Sequence, residues 1–142
     1  MFPKKIDQEF VNQLLLKVEG EQLEFKQQIS SQEKIAKTLS AMANSAGGLI
    51  LIGISDQRKI VGVDPEEERY MITAANETFC MPKVSMELYP IKIDPKRPNE
   101  EEKMILLVHV HVNLGPQVVV KHKSGTSKSY FRMESQNKVI KI

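Results

Sequence analysis

Several features that announce a specialised class of protein are scarce or missing in this chain of 142 residues. Cys80 is the only cysteine, which excludes an internal disulfide and an all-cysteine metal cage and suits a reducing compartment. No apolar run approaches membrane-spanning length, and Met1-Phe2-Pro3-Lys4-Lys5 leads into polar residues without the apolar core of a signal peptide. The expectation is a cytoplasmic protein with no membrane partner. Charge of one sign is not in excess, since 20 Lys and Arg face 18 Asp and Glu for a formal +2; any surface suited to a polyanion must be local. A Gly-x-x-x-x-Gly-Lys-Ser/Thr loop is absent, which argues against NTP hydrolysis. No helix-turn-helix, zinc-finger or RRM aromatic signature separates DNA from RNA.

What is present reads as one α+β domain, a mixed β-sheet with flanking helices, because 41% hydrophobic content over this length suffices for a core without staples. Phe10, Val11, Leu14, Leu15 and Val18 recur at helical spacing and predict a first helix near 7–17. Gln22 to Lys26 alternates polar and apolar, so Leu23 and Phe25 should face the core and leave Glu24 and Lys26 on an accessible polar side. Ser30 and Glu33 form a capping box ahead of Ile35, Leu39, Met42, Ala43 and Ala46, the face of a second helix closed by Gly47-Gly48. Leu49 to Ile54 is nearly all apolar, as in a strand buried on both faces, and Asp56 to Lys59 turns it into Ile60 to Val63 as a hairpin. Asp64, Pro65 and three glutamates start a third helix towards Cys80. Strands follow near Val84 to Ile93, Met104 to Val112, Val118 to Lys121 and Ser129 to Met133, with a charged loop over Asp94 to Lys103.

Lys121, His122, Lys123, Ser124, Thr126, Ser127 and Lys128 surround Gly125 in what should be a hairpin loop, a composition suited to phosphate oxygens, although an ordinary solvated loop has the same look. Tyr130 and Arg132 follow at alternate positions, so one face would carry an aromatic for stacking on a base and a guanidinium for phosphate; a half-buried Tyr beside a surface Arg is the plain alternative. Lys26, Arg58 and Lys59 extend the basic track if the fold gathers them. His109 and His111 flank Val110, so both imidazoles share a strand face, but no third metal ligand is evident and they read as its polar side.

Glu19-Gly20-Glu21-Gln22-Leu23-Glu24-Phe25-Lys26, then Ala41-Met42-Ala43-Asn44-Ser45-Ala46-Gly47-Gly48, then Ile52-Gly53-Ile54-Ser55-Asp56 and Lys59-Ile60-Val61-Gly62, resemble in order and spacing the Schlafen-type AlbA-like domain. Ser129-Tyr130-Phe131-Arg132-Met133-Glu134-Ser135 is similar to that family's late Tyr-x-Arg strand. Met42 stands where the family usually has Phe, and Phe131-Arg132-Met133 replaces a more Val-rich stretch. The resemblance covers 19–142, with 1–18 as a preceding helical segment of the same globular unit. It implies binding of DNA or RNA with low sequence specificity, in a regulatory role.

Glu19, Glu24 and Asp56 occupy the positions of the acidic triad with which nuclease-active Schlafen proteins cut RNA. The resemblance therefore implies, as a second reading, a metal-dependent endoribonuclease in which the three carboxylates hold Mg²⁺ or Mn²⁺ to activate water. Each residue also has an ordinary explanation: a helix end, a polar strand face and a turn start. A third reading is a protein-interaction module, with the β-rich second half pairing edges in a homodimer.

Overall fold

Short polar side chains open each helix of the computed structural model, which describes residues 2–141. The Asp7 carboxylate accepts from the Phe10 N–H at 3.2 Å and starts α1 (Gln8–Leu14). This helix stops short of the expected span because the Leu16 and Lys17 N–H groups bond three residues back, to Gln13 and Leu14, a tightened last turn that leaves Leu16 and Val18 exposed. Ser31 caps α2 (Gln32–Ala43) by accepting from the Lys34 N–H at 3.2 Å. The expected Ser30/Glu33 box does not form, because Ser31 rather than Ser30 is the cap, and the Glu33 carboxylate lies against His122. Asp64 caps α3 (Pro65–Phe79) as predicted, accepting from Glu66 and Glu67 with Pro65 in the first turn.

The main sheet is mixed. β1 (Leu23–Lys26) runs parallel to β2 (Gly48–Ile52), with α2 as the connection, and β2 pairs antiparallel with β5 (Lys103–Val110), which pairs antiparallel with β4 (Met86–Ile93). A second sheet in the order β3 (Cys80–Met81), β6 (Val119–Lys121), β7 (Ser127–Met133), β8 (Gln136–Val139) is antiparallel throughout. The α+β architecture with a mixed sheet and flanking helices is as expected, with the later strands divided between two sheets. The hairpin predicted after β2 shrinks to a single bridge, Ile54 to Ile60. Gly53, at φ +118°, bends the chain there, and a Cβ on it would lie 2.9 Å from Ile105 Cγ2.

Two apolar cores lie on the two faces of the main sheet. Val11 and Leu14 of α1 pack with Leu23, Leu51, Ile105 and Leu107 on one face. On the other, Leu39 and Met42 of α2 and Ile72 of α3 pack with Ile50, Ile52, Leu106 and Val108, and the same core takes in Val118, Val120 and Tyr130 of the second sheet. The unbroken apolar run in β2 follows from this double burial. Helix α2 ends against β5: Gly47, at φ +74°, sits where a Cβ would come within 2.7 Å of the Val110 carbonyl oxygen, and its N–H bonds to the Met42 carbonyl. Among the described residues no helix is long and apolar enough to cross a membrane.

Candidate nucleic-acid interface

The β6–β7 hairpin is closed by backbone bonds from the His122 N–H to Thr126 at 2.8 Å and from the Gly125 N–H to His122 at 3.0 Å. Its base is anchored through His122, whose Nδ1 lies 2.6 Å from a Glu33 carboxylate oxygen at the start of α2 and whose Nε2 lies 2.7 Å from the Tyr130 hydroxyl. The same Glu33 oxygen accepts from the Lys123 N–H. These contacts, led by the His122 hydrogen bond, hold the Glu33 carboxyl below its ordinary value. His122 is therefore a brace for the loop rather than a free phosphate ligand, which corrects the expectation from sequence. Lys121, Lys123, Ser124, Thr126, Ser127 and Lys128 are exposed as expected, and among the described residues none of the three lysines has a carboxylate within ion-pair distance.

Strand alternation then decides what lies on each side of the second sheet. Tyr130 and Arg132 share a face as predicted, but it is the inner one, packed on α2, and each is 3% exposed. Neither can stack on a base or grip a phosphate as they stand. Burial raises the Tyr130 phenol above its usual range. On the outer face, the register sets Lys121 beside Ser127, Val119 beside Ser129 and Phe131 beside Lys138, so the accessible aromatic there is the half-buried Phe131, with Lys138 as its cross-strand neighbour.

Arg132 is a buried hub. Its Nη2 donates to Glu24, its Nε to the Gly20 carbonyl at 3.2 Å and its Nη1 to Asn137 at 2.8 Å. The other oxygen of Glu24 pairs with Lys26 at 3.3 Å. On the polar side of β1, expected to be accessible, Glu24 is thus covered by the second sheet and is 9% exposed, while Lys26 remains partly exposed. Arg58 donates to the Lys17 carbonyl at 2.7 Å and lies over the Phe25 ring, and Lys59 is exposed in the turn after β2. No hydrogen bond or ion pair among the described residues joins Lys26, Arg58 or Lys59 to the hairpin.

The three acidic residues do not make a Mg²⁺ or Mn²⁺ site as they stand. Glu19 accepts from the Phe25 N–H at 2.9 Å, Glu24 is held by two cations, and Asp56 is exposed in a turn. Among the described residues, the one group of three side chains with ligand atoms mutually within 4.8 Å is instead Glu87, His109 and His111.

The profile of the family described as Schlafen, AlbA_2 matches residues 19–141, the stretch that runs from the Glu19–Phe25 contact through the basic hairpin to the last strand. The chain belongs to the Schlafen AlbA_2 family. No curated protein matches it. A crystal structure of the DIP2311 protein from Corynebacterium diphtheriae is similar with a TM-score of 0.52 at 18% identity, over 92% of this chain and 25% of that one. The likeness is one of fold, and this chain spans about a quarter of that protein's length.

In this Schlafen AlbA_2 domain the motif residues serve the framework. Asn44 of the Ala-Asn-Ser-Ala-Gly-Gly stretch donates to the Val118 and Tyr130 carbonyls at 3.0 and 2.9 Å and accepts from the Val118 N–H at 2.8 Å, pinning β6 and β7 to the end of α2. Ser45 accepts from the Arg132 N–H at 2.8 Å. Burial pushes the Cys80 thiol up to about 12, so it is inert at neutral pH. Sequence reasoning did not single out Phe131 and Lys138, neighbours on the outer face, or Lys37 of α2, whose Nζ sits 5.2 Å over the Tyr130 ring. The Phe131 signal was present in the same alternation that singled out Tyr130; β8 carried too little apolar character to be seen.

Proposed function

We propose that this domain binds nucleic acid, DNA or RNA, through phosphate contacts from the β6–β7 hairpin. The observation that carries the reading is a braced loop presenting Lys121, Lys123 and Lys128, which have no carboxylate within ion-pair distance among the described residues, interleaved with the hydroxyls of Ser124, Thr126 and Ser127. Unpaired cations lose little on meeting a phosphate and release the counterions condensed on it, whereas a lysine already in an ion pair must first give that up. The outer face beside the loop adds Phe131 for stacking on an unpaired base and Lys138 for its backbone. Contacts of this kind carry little sequence information, so specificity should be low. Membership of the Schlafen AlbA_2 family, which is associated with nucleic-acid binding, supports the same reading.

No catalytic step is assigned. The engaged carboxylates of Glu19 and Glu24 favour a binding module over a nuclease. Fluorescence anisotropy with labelled tRNA, single-stranded RNA and duplex DNA tests the proposal: binding that weakens steeply with salt, with no strand cleavage on adding Mn²⁺, is expected. Absence of binding at low salt, together with salt-independent self-association, would favour a homodimerisation module instead.

A further inference from the structure

At the end of the main sheet, the register between β4 and β5 builds a second cluster. Glu87 lies directly opposite His109 in the antiparallel ladder, and His111, two residues on, projects from the same face. His111 Nε2 is 2.8 Å from Glu87 Oε1, and His109 Nδ1 is 3.5 Å from that same oxygen. The imidazole rings are 4.4 Å apart. His109 Nδ1 is sealed from solvent and has no hydrogen-bond partner among the described residues. A buried polar atom without a partner is a liability that native proteins rarely leave uncompensated. The opposite faces of both histidines' neighbours, Val108 and Val110, are locked in the core, so the strand cannot rotate to relieve it.

We propose that Glu87, His109 and His111 bind a divalent transition-metal ion of the zinc class. Two imidazole nitrogens and one carboxylate form a donor set suited to Zn²⁺ and leave a fourth position for water or an outside ligand. Ligand atoms about 2.0–2.2 Å from a tetrahedral ion stand roughly 3.3 Å from one another. The His109–Glu87 separation of 3.5 Å already meets this. The His111–Glu87 contact must open by about half an ångström, which the half-exposed Glu87 side chain can supply by rotating. Phe2 stacks on His109 with ring centroids 4.2 Å apart, which fixes the imidazole plane and leaves its in-plane lone pair free, the role an outer contact plays around metal ligands. The fourth position would open towards a cleft of about 560 Å³ that both histidines line together with Lys17, Glu21 and Gln22.

Isothermal titration of the metal-free protein with Zn²⁺ alone, with Co²⁺ absorption as the reporter of coordination geometry, tests the site. One saturable equivalent is expected, with a tetrahedral Co²⁺ spectrum. Loss of an outer contact typically weakens a metal site by about 10–100-fold, so loss of a ligand in His109→Ala, His111→Ala or Glu87→Gln should cost at least about 100-fold. Glu87→Gln keeps the size and hydrogen-bonding capacity of the side chain and guards against misfolding, which circular dichroism checks in each variant. His122→Ala, at the other histidine of the fold, should leave the equivalent intact. Absence of saturable binding, binding unchanged in His111→Ala, or binding abolished by His122→Ala would overturn the proposal.

Discussion

Arg132 and Glu24, 108 positions apart, form an ion pair that fastens β7 of the second sheet to β1 of the main sheet. The guanidinium is almost wholly buried and its remaining donors reach Gly20 and Asn137. Removing one partner strands the other charge away from water, and for such pairs the cost is about 3–5 kcal/mol. Arg132→Ala should therefore lower stability by that order in urea denaturation, and the pair Glu24→Leu with Arg132→Met should lose less than Arg132→Ala alone. A surface arginine of the kind expected from the sequence would cost under about 0.5 kcal/mol, and a value that small would contradict the hub.

Asn44 satisfies three backbone groups of β6 and β7 at once. Unpaired, each loses about 1–3 kcal/mol if water cannot reach it. Asn44→Ala should destabilise by about 2–4 kcal/mol in the same assay, and Asn44→Asp should also be harmful because it sets a carboxylate against two carbonyls. Wild-type stability in Asn44→Asp would show that the two carbonyl contacts contribute nothing.

Acid should loosen the hairpin. The hydrogen bond from His122, with a smaller contribution from the Lys123 N–H, places the folded-state value of Glu33 below its ordinary 4.5. A carboxyl whose folded value is depressed contributes stability that is complete above the unfolded value and is lost as pH falls through the folded one. Below pH 4.5 the wild type should lose stability more steeply than Glu33→Gln, read as melting temperature against pH; parallel curves for the two proteins would rule this out.

Two neighbouring aromatics should behave oppositely. Phe131→Ala, on the outer face, should weaken binding of single-stranded RNA by about 1–3 kcal/mol, the usual contribution of one stacked base. Tyr130→Phe removes only the buried hydroxyl, leaves Glu33 to hold His122, and should lower stability while costing much less affinity than Phe131→Ala. The reverse pattern of affinities would place the stacking residue on the wrong face.

The extent to which these features could be read in advance follows from how local they are. Asp64-Pro65 and the apolar run in β2 declare themselves through capping chemistry and double burial, and both appear where expected. The alternation from Ser129 to Met133 shows which residues share a face, yet which face turns inward depends on α2, far away in sequence, and so Tyr130 and Arg132 were expected outside. Strand β8, Gln136–Val139, is short and polar because it is an edge strand with one pairing side. Glu87 meets His109 only through the register of two strands joined by the long loop after Ile93, a relationship that no spacing along the chain reveals. The carboxylates of the family motif were legible by position, but their partners, Arg132 and the Phe25 N–H, were not.

If the braced hairpin supplies phosphate contacts, salt dependence measures those contacts directly. Anisotropy titrations of one labelled single-stranded RNA at several salt concentrations should compare the wild type with the triple variant Lys121→Ala, Lys123→Ala, Lys128→Ala, whose changes lie on exposed positions. Each lost phosphate contact on a single strand should reduce the slope of log affinity against log salt by about 0.7, so the triple variant should bind more weakly and its slope should shrink by about 2. An unchanged affinity and slope in the triple variant would contradict the account.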